Sequence, residues 1–110
     1  MEDEEFEEHV RAALDSLPDE IAHGLDNVAI VIEEESAEDP HILGSFFGYP
    51  HGQPTPSGAL PAKIVVYRRP LEAAFPEPAE LEREIRVTVL HELAHYFGID
   101  EDRIAELGYR

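Results

Sequence analysis

The apolar residues of the first segment recur at the spacing of an amphipathic helix. Across residues 2–17 they lie three or four positions apart, which puts them on one face of a helix. These positions are Phe6, Val10, Ala13, Leu14 and Leu17. Acidic residues crowd the first turns, where they complement the helix dipole, and Pro18 is predicted to end the helix. A short helical turn is predicted to follow through Ile21.

Three further segments have the composition of β-strands. Residues 28–32 form a continuous, largely β-branched run, which predicts a strand covered on both faces. Residues 42–47 are a weaker candidate, because Gly44 interrupts them. Residues 63–67 are again rich in side chains that favour a buried, pleated position. A sheet of three or four strands is therefore predicted.

The segment 48–61 is too rich in proline and glycine to form a regular element. Loops of this length in a small domain are commonly either functional or disordered, so two interpretations stand: a lid over a site, or plain disorder. His51 lies within the segment, where it is either a further metal ligand or a solvated side chain.

Pro76 and Pro78 lead into a predicted helix over residues 79–97, with Gly98 placed as its C-cap. Apolar side chains cover nearly the whole circumference of its second half. This helix is therefore predicted to be packed on most sides.

The chain has 110 residues, which fits one domain spanning 1–110. Its 25 acidic and 8 basic residues give a formal net charge of −17. Such a field repels phosphate and anionic lipid, so neither nucleic acid nor a membrane is expected as a partner. The charge indicates either a solvated surface that maintains solubility or a field that attracts cations and basic peptides.

The chain contains no cysteine, so any metal must be held by His, Asp or Glu. Its N-terminus lacks the basic start and apolar run of a secretion signal. No apolar stretch approaches the ~20 residues needed to cross a bilayer. A cytoplasmic location is expected.

The run HELAH, residues 91–95, contains the candidate metal-binding and catalytic side chains. At ~100° per residue, His95 lies ~40° from His91 and one turn further along the helix, so both imidazoles point the same way. Their nitrogens can then converge on one zinc ion at the ~2.0–2.1 Å typical of that metal. Glu92 lies beside the pair, too offset to be an easy third ligand but able to reach a water held on the metal.

The residues after the motif suggest how the site is completed. Gly98 permits the backbone to turn back, so one of Asp100, Glu101 and Asp102 can reach the ion. Two His and one carboxylate leave a fourth position for water, as in catalytic zinc sites. A bound cation would also offset the cost of burying the polar side chains of this helix.

The string HELAHYFGIDED resembles the zincin signature HExxHxxG followed by a third ligand. Along the chain, an acidic segment follows residues 64–70 and precedes residues 86–98. This order is similar to that of the small bacterial zincin-like metallopeptidase family. This resemblance implies an α+β class and a minimal zincin-like fold. In that fold a small mixed sheet packs on an N-terminal helix and a long active-site helix, and a short helix follows.

The same resemblance implies zinc as the cofactor, with His91 and His95 as metal ligands, Glu92 as the general base and Glu101 as the third ligand. The family usually has Asp at that third position, so this chain departs from the pattern, and Asp102 is the alternative ligand. A metzincin Met-turn is absent, because Met1 is the only methionine.

These features predict a zinc-dependent metallopeptidase that hydrolyses peptide bonds through a zinc-held water, with a peptide or protein substrate. Strand 42–47 is expected to align the peptide by β-augmentation. The candidates for stabilising the oxyanion are Tyr49, Tyr67, Tyr109 and His51. Two alternatives remain open: a non-catalytic zinc-binding protein of zincin fold, and an acidic protein-interaction module.

Overall fold

The computed structural model describes residues 3–17, 19–23, 28–48, 62–97 and 101–106. Five helices and three strands lie within these ranges. In chain order they are α1 (Asp3–Asp15), α2 (Asp19–Ala22), β1 (Val28–Glu33), β2 (Gly44–Phe47), β3 (Ala62–Tyr67), α3 (Arg68–Ala74), α4 (Pro78–Tyr96) and α5 (Glu101–Glu106). Residues 49–61 of the predicted loop fall outside the described residues, so the predicted lid stays a prediction.

The three strands form one mixed sheet in the order β1-β3-β2. Strand β1 runs parallel to β3, and β2 runs antiparallel to it. The backbone N–H of Tyr67 donates to the carbonyl oxygen of Leu43 at 2.9 Å, which extends the β2–β3 ladder by one residue. Helices packed on a small mixed sheet confirm the predicted α+β class.

The central strand β3 is the buried one: Ile64, Val65 and Val66 have no exposed surface. The prediction that β1 is covered on both faces is wrong, since Ala29 is exposed and most of the strand is half-buried. Strand β1 lies at the edge of the described sheet. A continuous apolar run is therefore compatible with an edge position as well as with a central one.

Helix α1 packs against α4 through the face that the apolar spacing predicts. Phe6, Val10, Ala13 and Leu17 are buried, and Leu14 is half-buried. They join the main core with the following residues of the sheet and the other helices: Val66, Leu71, Leu81, Ile85, Val89 and Leu90. Among the described helices, none is long and apolar enough to cross a membrane.

Helix α3 has no counterpart among the predicted elements, because its seven residues are too few to show a helical period. It follows β3 without a connecting loop. Pro70 lies in its first turn, where a missing N–H removes no intrahelical hydrogen bond. Leu71 is fully buried and anchors the helix to the core.

The Arg68 guanidinium links α3 to the residue that follows β1 and to α1. It forms hydrogen bonds with both carboxylate oxygens of Glu34 and donates to Glu72 Oε1 at 2.8 Å. Its Nε also lies 3.3 Å from Asp3 Oδ1. The hydrogen bond from Arg68 holds the pKa of the Glu34 carboxyl below its ordinary value of 4.5.

Replacing Phe6 by Ala is expected to lower the free energy of unfolding by about 3–5 kcal/mol, since it leaves a cavity in the main core. Urea denaturation measures this loss. Phe47→Ala is the matched control, because Phe47 is 47% exposed and its truncation should change stability far less. Equal losses in the two variants would contradict the described core.

The lowered pKa of Glu34 predicts a pH-dependent contribution to stability. A carboxyl with a depressed folded-state pKa stabilises the fold above its unfolded pKa, and the contribution is lost as pH falls through the folded pKa. Glu34→Gln should therefore lower the urea midpoint at pH 7, and the difference from the unmodified chain should shrink below pH 4.5. Glu35→Gln, which removes the same charge from an exposed neighbour, should show a smaller difference.

Candidate metal centre

Helix α4 carries the candidate site and is held by contacts with α1, α3, β2 and β3. It begins at Pro78, whose fixed φ suits the first helical position, and Leu81 N–H donates to the carbonyl oxygen of Glu77 at 2.8 Å. Its buried residues are Leu81, Ile85, Thr88, Val89, Leu90, Leu93 and Ala94. The motif therefore lies on a rigid element, a condition for precise placement of functional groups.

The two motif histidines lie side by side near the C-terminal end of α4. Their Nε2 atoms are 3.2 Å apart, with ring centroids 4.9 Å apart and ring planes at 72°. Two ligand atoms of a tetrahedral zinc ion with bonds of ~2.0–2.1 Å are separated by ~3.3–3.4 Å. His91 and His95 are both half-buried and converge at a spacing that suits a shared ion.

Glu92 completes the cluster. One of its carboxylate oxygens and one ring nitrogen of each histidine all lie within 4.8 Å of one another. A carboxylate at this distance can hydrogen-bond a water held between the imidazoles, or approach a metal itself. Glu92 is therefore offset from the two histidines on the helix, but its carboxylate remains close to their ring nitrogens.

Gly44 explains how closely strand β2 approaches the site. A Cβ on this residue would lie 2.5 Å from Thr88 Cγ2, 3.1 Å from the carbonyl oxygen of Val65 and 3.5 Å from Glu92 Cγ. Only glycine permits this packing without a shift of the strand or the helix. The sequence prediction treated Gly44 as a weakness in a strand, although glycine within a strand is also a signal of close approach to another element.

One aromatic contact packs the last turn of α4 against strand β2, and a second lies within the helix end. The rings of Phe46 and Tyr96 are 5.7 Å apart, and those of Tyr96 and Phe97 are 5.3 Å apart. These separations fall within the favourable range for tilted aromatic pairs. The contacts fix the end of the helix on which His95 lies.

A groove of about 220 Å³ runs between strand β2 and helix α4 and reaches the motif. It is lined by Leu43, Gly44, Glu84, Val87, Thr88, His91 and Glu92. The Thr88 hydroxyl donates to the carbonyl oxygen of Glu84 at 2.8 Å, while its methyl group faces the strand. Sequence reasoning did not single out Glu84, whose spacing of seven residues from His91 puts both on one helix face.

The predicted third ligand is not tested by the described geometry. Helix α5 begins at Glu101, but the Glu101 side chain lies outside the described part of the chain, as does Asp100. Asp102 is exposed. The predicted C-cap Gly98 also falls outside the described residues. The choice among these acids therefore stays a prediction.

Of the oxyanion candidates, only Tyr67 falls within the described residues. It is 3% exposed, and its hydroxyl donates to Ser45 Oγ at 3.2 Å. Tyr49, Tyr109 and His51 lie outside the described residues.

Comparison with known proteins adds a family and a fold. A solved structure of a conserved hypothetical protein from Thermo thermophilus is similar at a TM-score of 0.59 and 25% sequence identity, over 86% of this chain and 92% of that one. No curated protein matches the chain.

The zincin-like metallopeptidase family matches residues 25–109. This span holds the three strands of the described sheet and the helix that carries His91, Glu92 and His95. It confirms the resemblance drawn from the motif and its surroundings. The chain belongs to the zincin-like metallopeptidase family.

Proposed function

We propose that this protein is a zinc-dependent metallopeptidase that hydrolyses peptide bonds, with Glu92 as its general base. The observation that carries the proposal is the convergence of the His91 and His95 Nε2 atoms, 3.2 Å apart, with the Glu92 carboxylate beside them. Membership of the zincin-like metallopeptidase family supports the proposal.

The donor set suits zinc. Imidazole nitrogen and carboxylate oxygen are both zinc ligands, and the chain has no thiolate to offer. His91 and His95 would hold the ion, and Glu101 would supply the third ligand from the start of α5. The neighbouring Glu92 carboxylate further favours a positive charge at this position.

When bound, zinc lowers the pKa of a coordinated water toward ~7 and polarises the carbonyl of the scissile peptide bond. Glu92 accepts the proton of the attacking water and then delivers it to the leaving amine. Its position next to His91 on a packed helix, backed by Gly44, keeps the carboxylate close to the reacting atoms.

Strand β2 is the proposed guide for the substrate. In the described sheet β2 pairs only with β3, and an extended peptide would add along its other edge by β-augmentation. Leu43 and Gly44 line the groove that leads to His91 and Glu92. A peptide or protein added along this edge would pass the candidate metal centre.

Metal content tests the ligand assignment. The purified chain is expected to bind about one zinc ion, and His91→Ala or His95→Ala should each weaken zinc binding by about 100-fold or more, because each removes a ligand. Chelator competition with metal analysis measures both. His41→Ala is the control: His41 is exposed and should keep the metal. Full zinc binding in the His95 variant would contradict the site and favour the acidic interaction module.

Glu92→Gln tests the general base. This variant is expected to retain zinc but to lose cleavage of a quenched fluorescent peptide library by about 10²–10⁴-fold, since the amide cannot accept the proton. Glu77→Gln removes the same charge from an exposed position and should cleave normally. Cleavage that survives in Glu92→Gln removes this mechanism. A zinc-loaded chain that cleaves nothing indicates the non-catalytic alternative.

A further inference from the structure

We infer that the groove between β2 and α4 receives a lysine or arginine side chain of the substrate, and that Glu84 is the residue that selects it. The inference rests on the proposed function and names a substrate class for it. It is drawn from the position of Glu84, the chemistry of the groove walls and the charge of the chain.

Glu84 lies at the far end of the groove from the metal centre. It precedes His91 by seven residues, so the two share a helix face at a separation of ~10 Å along the axis. An extended peptide advances ~3.3 Å per residue. A long basic side chain on a residue within about three positions of the scissile bond can therefore reach the Glu84 carboxylate.

The described side chains that line the groove include carboxylates and no Lys or Arg. The carboxylates are those of Glu84 and Glu92. Glu92 is assigned to proton transfer, which leaves Glu84 to bind a cation. The Glu84 side chain is 25% exposed, and its contact with Arg83 Nε at 3.8 Å is long for an ion pair. Arg83 lies at a similar distance, 3.7 Å, from Glu80, so it is shared between two carboxylates and neutralises Glu84 only in part.

The walls of the groove suit the aliphatic stem of a basic side chain. Leu43 and Val87 are half-buried apolar residues on opposite elements. The Thr88 hydroxyl donates to the Glu84 carbonyl oxygen and its methyl group lies against Gly44, so this hydroxyl proton is already used within the protein. Lys and Arg commonly pack their methylenes on apolar surface while the charged end meets a polar group.

The size of the groove indicates one side chain rather than a whole ligand. Its volume of about 220 Å³ is below the ~300–1,000 Å³ of sites that enclose small molecules. The net charge of −17 also favours a basic substrate, because it attracts basic peptides from a distance. That long-range attraction is general, whereas Glu84 is local and can be tested separately.

The test uses N-acetylated fluorescent peptides that carry one Lys at successive positions, each paired with the same peptide carrying norleucine. Anisotropy gives their dissociation constants for the zinc-loaded Glu92→Gln chain, and kcat/KM is measured with the unmodified zinc-loaded chain. At one position of the peptide, Lys is expected to give binding about tenfold tighter than norleucine. The Glu84→Gln substitution should abolish this preference for Lys. Glu84→Lys should reverse it in favour of a peptide with Glu.

Glu80→Gln is the matched control. It removes the same charge and also a partner of Arg83, but it lies outside the groove, so the preference for Lys should persist. A preference that Glu80→Gln and Glu84→Gln weaken equally would assign it to the overall field and overturn the inference. A norleucine peptide with a free N-terminal amine that binds as tightly as the acetylated Lys peptide would also overturn the inference, because any positive charge would then serve in place of the Lys side chain.

The two proposals fail in different ways. Cleavage without any preference for a basic residue contradicts the role of Glu84 and leaves the peptidase proposal standing. A Lys preference in binding that Glu84→Gln abolishes, with no cleavage of any peptide by the unmodified chain, supports the groove assignment and contradicts the peptidase proposal.

Discussion

One turn of helix α4 separates His91 from His95, and the candidate metal centre depends on that turn remaining helical and fixed. Its inward side is held by Leu93 and Ala94, which are buried. Its end is held by the backbone bond from Phe97 N–H to the carbonyl oxygen of Leu93 at 3.1 Å. Because one packed helix supplies both imidazoles and the carboxylate, folding of the core also organises the site. The packed helix thus preorganises all three functional groups before a metal or substrate binds.

The approach of strand β2 turns this helix face into a groove. Gly44 allows the strand to meet Thr88 and Glu92 closely, and the residue before it, Leu43, forms the apolar wall. The same contact limits the space on the strand side of Glu92. Packing at Gly44 thus links the stability of the sheet to the placement of the proposed base. The groove that results has apolar walls and carries Glu84 at the end away from the metal centre, which is the basis for the inferred preference for a basic side chain.

Periodic and local signals in the sequence predicted much of this arrangement. The apolar spacing gave the buried face of α1, and the separation of four residues placed His91 and His95 together. Features that depend on tertiary neighbours were missed or misjudged. The apolar run of β1 predicted burial on both faces, yet the strand lies at an edge of the described sheet. Helix α3 was too short to show a period. The groove joins Glu84 to Leu43, and no pattern within either segment indicates that pairing.

The central claim is that two imidazoles one turn apart share a single zinc ion. X-ray absorption spectroscopy of the zinc-loaded chain, compared with zinc-loaded His95→Ala, tests it most directly. The account predicts two imidazole nitrogens at ~2.0–2.1 Å with oxygen ligands completing the coordination sphere, and one imidazole fewer in the variant. An unmodified chain whose zinc is bound by oxygen alone, or a spectrum unchanged by the substitution, would contradict the claim.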